Sequence, residues 1–173
     1  GLTTPYIIYC GRREPLKGTP LLLDYLNAYR SRTGQDVKLA LTGSGEFTPP
    51  KALAPHILDL GFVSETEKHD AMAGALAFVH PSQLESLGIV LLEAWLAGTP
   101  ALVHSESPVL VDQCRRSGGG LWFRSYAEFE ECLTRLQEND TLRQCLANQG
   151  RQFVLGNYSP DIVRRRFEDA LKR

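Results

Sequence analysis

Pro81-Ser82-Gln83-Leu84-Glu85-Ser86-Leu87-Gly88-Ile89-Val90-Leu91-Leu92-Glu93-Ala94-Trp95-Leu96-Ala97-Gly98-Thr99-Pro100 is the stretch that decides how this chain of 173 residues reads. Just ahead of it, Ala75 to His80 is a short apolar run that suits a buried strand. Ile89 to Ala97 has no internal Gly or Pro and reads as a helix. Gly98 stands where a helix stop belongs, and Pro100 enforces the exit. The expectation is a strand, a tight polar loop holding Glu85, and a helix opening near Gly88, with Glu93 in its first turn.

A helix opening of this kind has a chemical use. Its first N–H groups are unpaired and carry partial positive charge, which suits phosphate. Gly88 lets a ligand reach the backbone, and Ile89 and Val90 add amides. A carboxylate at Glu93 can accept two hydrogen bonds from a vicinal diol such as a ribose, and Glu85 can do the same for sugar hydroxyls. The alternative is structural: Glu85 caps the helix and Glu93 complements its dipole.

The two glutamates stand in the setting Pro-Ser-x-x-Glu-Ser-x-Gly-x-x-x-x-Glu-Ala-x-x-x-Gly-Thr-Pro, with seven residues between them. This block resembles the C-terminal, donor-binding domain of retaining GT-B glycosyltransferases of family 4. A second block, Gly11-Arg12-x-x-x-x-Lys17-Gly18, follows the strand-like run Tyr6 to Cys10. In the family it resembles, the Arg and Lys of such a loop bind the donor diphosphate. The resemblance thus implies that Arg12 and Lys17 hold the diphosphate, with Gly11 beside them. It implies further that Ser86, Gly88, Ile89 and Val90 meet phosphate or sugar, Glu93 the ribose and Glu85 the transferred sugar. GT-B enzymes generally lack a bound metal, so the resemblance implies no metal or other cofactor, and two fixed cations would take the part of a divalent ion as charge grows on the leaving diphosphate. The implied catalytic set is Glu85, Arg12 and Lys17, and the implied donor a UDP-, GDP- or ADP-sugar. Arg13 is expected at the surface.

Composition reads as that of a soluble, globular domain rather than a disordered chain. Hydrophobic residues make up 43% and charged residues 23%, and the net charge of -1 gives no electrostatic case for nucleic acid or an anionic membrane. Cys10, Cys114, Cys132 and Cys145 form no Cys-x-x-Cys pair, which points to reduced thiols and a cytoplasmic setting. The start, Gly1-Leu2-Thr3-Thr4-Pro5, has no Met and no leader pattern, and is expected to be the start of a fragment with Gly1 left by cloning.

In chain order, strands are expected near 6–10, 38–42, 57–60, 77–80, 101–104 and 121–123, alternating with helices. That pattern is a Rossmann-like, doubly wound parallel sheet of about six strands with helices on both faces, one half of a GT-B fold. Gly43-Ser44-Gly45 after the second strand lacks the third glycine of a dinucleotide fingerprint, since Thr48 stands there. Gly43 and Gly45 are read as cleft lining, a tight turn without ligand contact being the alternative. Gly61-Phe62-Val63 resembles the family's segment that meets the nucleotide base. Phe62 or Val63 would pack on the ring, although core packing is favoured for Phe62. Capping boxes at Ser64–Glu67 and Ser125–Glu128 open two further helices. His80 ends a strand facing the cleft and reads as a hydrogen-bonded loop histidine, with a catalytic role as the alternative. Relatives usually carry Gly-Gly and Glu near 105–112, where Glu106, Ser107 and Asp112 stand here. Gly118-Gly119-Gly120 reads as a flexible turn. The last helix, with Ile162, Val163, Phe167, Ala170 and Leu171 at helical spacing, has an apolar face expected to be partly uncovered.

The whole chain, 1–173, is thus expected to be one nucleotide-sugar-binding domain. Its function would be that of the donor half of a glycosyltransferase, inactive alone because the N-terminal acceptor domain is absent. Any membrane contact would fall to that missing half. The alternatives are a non-catalytic nucleotide-sugar-binding module and, less well supported, an NAD-type Rossmann domain.

Overall fold

The computed structural model describes residues 4–172; the expectations placed on Gly1 to Thr3 lie outside them. Six short, apolar strands form one sheet: β1 Tyr6–Cys10, β2 Lys38–Thr42, β3 Ile57–Gly61, β4 Ala77–His80, β5 Ala101–His104 and β6 Gly120–Phe123. All pairings are parallel and the order is β3-β2-β1-β4-β5-β6. The strands are apolar on both faces because helices cover both faces, as parallel sheets require.

Alternate residues of the central strands feed two cores. Ile7, Tyr9, Leu39, Leu41 and Val79 face α1 (Thr19–Thr33) and α5 (Tyr126–Glu138), through Leu22, Leu26, Phe129 and Leu133. Tyr6, Ile8, Cys10, Phe78 and Val103 face α2 (Glu65–Ala73), α3 (Ile89–Leu96), α4 (Pro108–Ser117) and α6 (Asp140–Tyr158). There they meet Met72, Leu91, Trp95, Leu110 and Val154. Full burial of one such side chain stabilises by roughly 1.5–3 kcal/mol, so each face is fixed by many small gains. A slip of one residue in any strand would exchange the two sets.

Strand expectations agree with the structure to within one residue. The Ser64 capping box is complete, with Glu67 N–H donating to Ser64 Oγ and Ser64 N–H donating to Glu67 Oε2. The second box is only half formed: Ser125 Oγ accepts from Glu128 N–H, but Glu128 Oε2 accepts from Arg124 N–H. Glu93 is not in the first turn of α3 but at its fifth position. Gly118 to Gly120 are a packing site rather than a flexible turn. The indole N–H of Trp95 donates to Gly119 O at 2.8 Å, and a Cβ on Gly119 would come within 2.6 Å of Gly150. The last helix, α7 (Pro160–Leu171), buries no side chain. Among the described residues no helix is long and apolar enough to cross a membrane.

Candidate functional site

The sheet order reverses between β1 and β4, whose chains leave in opposite directions along the sheet. Loops part there at the carboxyl ends of the strands, which is where open α/β sheets hold ligands. A cleft of about 230 Å³ opens at that point. Tyr9 and Cys10 of β1 and His80 of β4 line it, with Gly11, Arg12 and Lys17 on one side and Glu85 to Val90 on the other. The two loops touch: a Cβ on Gly18 would come within 2.5 Å of Pro81 O. That close approach sets Lys17 beside Glu85.

Lys17 Nζ donates to Glu85 Oε1 at 2.6 Å, with both side chains largely withdrawn from solvent. His80 Nε2 lies 3.4 Å from the same oxygen. Burial pushes the His80 imidazole down to about 4, Glu85 opposing this and Lys17 adding to it. His80 is therefore a buried strand residue without a formed hydrogen bond to Glu85, in place of the hydrogen-bonded loop histidine expected. Burial also pushes the Cys10 thiol up to about 11 and, aided by the Glu85 charge, raises the Tyr9 phenol; neither ionises near neutrality. Tyr9 OH donates to Arg12 O at 2.5 Å and so pins the loop's first turn.

Gly88 takes a left-handed conformation at the N-terminal cap of α3, and no side chain caps the helix. The first satisfied amide is Leu91 N–H, donating to Gly88 O at 2.9 Å. The amides of Ile89 and Val90 precede it and are the helix's unpaired donors at the cleft. Glu85 is engaged by Lys17, and Glu93 lies in the second turn. The reading of these glutamates as cap and dipole partner is thus set aside. Gln113 of α4 donates to Leu87 O and braces the loop from behind, a contact across the fold that local spacing does not show.

Of the expected site residues, the structure brings Arg12, Lys17, Gly11, Glu85, Ser86, Gly88, Ile89 and Val90 to one cleft. Arg12 is turned outward, pairing with Glu14 at 3.1 Å. Glu93 is not in that lining. It borders an adjoining depression of about 240 Å³ between α2 and α3, with Glu65, Lys68, His69, Met72 and Leu96. There Lys68 Nζ lies 2.9 Å from Glu93 Oε2 and 2.8 Å from Glu65 Oε2. Burial lowers the Lys68 ammonium's affinity for its proton, but the two carboxylates outweigh it and the net shift is upward. The charges of Lys68 and Glu93 act in opposite directions on the Cys10 thiol at the end of β1.

Gly43 and Gly45 do not line the cleft. A Cβ on Gly43 would meet Gly11 O at 2.3 Å, and one on Gly45 would meet Arg13 O at 2.9 Å. Their role is to let the loop after β2 lie against the backbone of the loop after β1. Val63 is half-buried, whereas Phe62 is 91% exposed, so core packing is excluded for it. Glu106, Ser107 and Asp112 also stand outside the cleft lining. Arg13, expected at the surface, is 8% exposed and grips Asp59 with both ends of its guanidinium. Among the described residues no group of three His, Cys, Asp or Glu side chains stands close enough to hold a metal ion.

Residues 2–153 match the family model for glycosyl transferases group 1. A phosphatidyl-myo-inositol mannosyltransferase of Mycobacterium leprae is 32% identical over 160 residues, covering 86% of this chain and 41% of that protein. An alpha-D-kanosaminyltransferase of Streptomyces kanamyceticus is 25% identical over 90% of this chain and 42% of its own length. The chain thus spans less than half the length of these relatives. Anabaena HepE, solved in complex with UDP-glucose, superposes with a TM-score of 0.82 at 17% identity, over 98% of this chain and 49% of that one. Sucrose-phosphate synthase from Thermosynechococcus elongatus gives 0.81 at 18% identity, over 98% and 45%. The sheet order and these likenesses give the fold as a GT-B Rossmann-like unit, and the match over most of its length shows that the chain belongs to the glycosyl transferases group 1 family.

Proposed function

We propose that the chain is the C-terminal, donor-binding half of a retaining glycosyltransferase of family 4, taking a UDP-, GDP- or ADP-sugar. The observation that carries this is the Lys17–Glu85 contact at 2.6 Å in a cleft that also receives the opening of α3. A cation, a sugar-binding carboxylate and unpaired amides at one rim fit a molecule that joins a pyrophosphate to a polyol.

In this reading Arg12 and Lys17 hold the diphosphate and stabilise its growing charge without a bound metal. Ile89 and Val90 offer amides to phosphate or sugar, and Glu85 accepts from sugar hydroxyls. Glu93, beside the cleft, takes the ribose, and Phe62 and Val63 lie toward the base. Departure is front-face: the bond from the anomeric carbon to the diphosphate breaks on the side where the acceptor oxygen enters. The diphosphate takes the acceptor's proton, and no side-chain nucleophile is assigned. The acceptor domain belongs to the longer protein, which we place in the cytoplasm, so these 173 residues bind donor but turn over little. Membrane contact, if the whole enzyme makes it, falls to the other half, and nucleic acid is no partner.

A thermal-shift screen with UDP-glucose, GDP-mannose and ADP-glucose tests the reading. One donor should raise the melting point, since a ligand at 100 times its Kd adds about 2.7 kcal/mol. Lys17→Ala should lose most of that shift and Glu93→Ala a substantial part. No shift with any donor at millimolar concentration would refute the assignment, as would an undiminished shift in Lys17→Ala.

A further inference from the structure

His80 is a titratable side chain of the cleft that the proposed reaction leaves without a task. It ends β4, is 5% exposed, and packs edge-on to Phe78 with ring centroids 5.6 Å apart. Its Nδ1 is buried and has no hydrogen-bond partner. Its Nε2 lies 3.4 Å from Glu85 Oε1, the same oxygen that Lys17 meets at 2.6 Å. A neutral ring carries one proton. On Nδ1 that proton would be a buried donor without an acceptor, an expensive arrangement; on Nε2 it faces a carboxylate. The favoured tautomer therefore carries the proton on Nε2.

Lys17 and His80 thus address one oxygen from two sides. At 3.4 Å the imidazole stands just beyond an ordinary N–H···O bond, and Lys17 holds the shorter contact. A diphosphate offers Lys17 more negative charge than a single carboxylate does. Resting on the donor reading of this cleft, we propose that His80 is a positioning residue for Glu85. When Lys17 turns to the diphosphate, the Nε2–H of His80 takes Glu85 Oε1 and keeps the carboxylate aimed at the sugar hydroxyls. His80 touches no reacting atom in this account and acts only through Glu85.

The test separates sugar binding from diphosphate binding. Calorimetry on the full chain compares UDP-glucose with UDP, GDP-mannose with GDP, and ADP-glucose with ADP. The affinity ratio within the tightest pair reports the sugar contact. His80→Gln carries an N–H near the place of Nε2, whereas His80→Asn carries one near Nδ1. Gln should keep the ratio within about threefold of wild type. Asn should lower it about tenfold with diphosphate affinity unchanged, the worth of one hydrogen bond to a charged group. If the Asn variant does not fold, His80→Leu matches the ring's bulk without an N–H and should show the same loss. An equal ratio in all variants, an equal loss in Gln and Asn, or parallel weakening of diphosphate and sugar ester would each overturn the proposal. A wild-type chain that binds none of the three pairs defeats the donor reading first, before any substitution is made.

Discussion

Arg13 shows how far one residue can depart from its local reading. In sequence it is one more charge in a polar loop. In the fold it lies between the loops after β1 and β2, paired with Asp59 of β3 and stacked on Phe47 at 5.1 Å. Asp59 keeps about half its side chain in water, but Arg13 does not. Removing the carboxylate would strand a buried cation. Asp59→Ala should therefore cost about 2–3 kcal/mol in urea unfolding, toward the low end for a broken buried pair because one partner is half exposed. The pH dependence has a definite sign. The Arg13 hydrogen bonds hold the Asp59 carboxyl below its ordinary value of 3.8, with burial opposing and the Gly61 amide assisting. A folded value below the unfolded one means stability that is present above about pH 4 and lost as pH falls through the folded value. Relative to wild type, Asp59→Asn should lose its stability deficit as pH drops through that range. A deficit constant down to pH 2 would contradict the assignment.

Elements were legible where local rules fix them. The six strands are short apolar runs between breakers, and the Ser64 box is a four-residue signal, so both could be read directly. Gly11, Arg12, Lys17, Glu85, Ser86, Gly88, Ile89 and Val90 were legible from two motif blocks and the family they resemble; following a strand end was not enough, since Gly43 and Gly45 do so and stand outside the cleft lining. Contacts across the fold were not. Lys68 reaches Glu93 from α2, and Gln113 reaches Leu87 from α4, and neither pairing has a local spacing. The glycines of α6 make the same point with opposite signs. A Cβ on Gly150 would lie 2.4 Å from the Trp95 ring, where α6 crosses α3. Helix propensity alone would favour Gly→Ala by up to about 1 kcal/mol. Overpacking costs about 1–3 kcal/mol and should win, since Trp95 is fully buried and held by Gly119. Gly156 has nothing within 4 Å of such a Cβ. Gly150→Ala should thus melt lower than wild type and Gly156→Ala higher, by calorimetry. The reverse order would mean that the α3–α6 crossing is looser than the structure has it.

At the scale of the molecule, the sheet brings two loops of different parentage to its switch point and leaves α7 outside the two cores. Val154 is the last fully buried residue of a core, Tyr158 packs against its edge, and the family match ends at residue 153. Beyond them α7 buries no side chain, Phe167 is 65% exposed, and Arg166 ties the helix to the Asn157 carbonyl and amide oxygens at 3.1 and 3.2 Å. Two exposed hydrogen bonds on a surface helix contribute little net stability. A chain ending at Ser159 should therefore melt within about 4 °C of the whole, the shift expected for about 1 kcal/mol in a domain of this size. Its donor response should be unchanged, because the cleft lining ends at Val90 and the ribose is given to Glu93, both far from the cut. A chain ending at Gly150 removes Val154 and the Phe153 ring that stands edge-on to Trp95 at 6.0 Å. That cut opens the core under α3, so it should lower the melting point far more and take donor binding with it. If the cut at Ser159 proved as damaging as the cut at Gly150, α7 would have to be counted as part of the folded unit, and the two-core account of its stability would be incomplete.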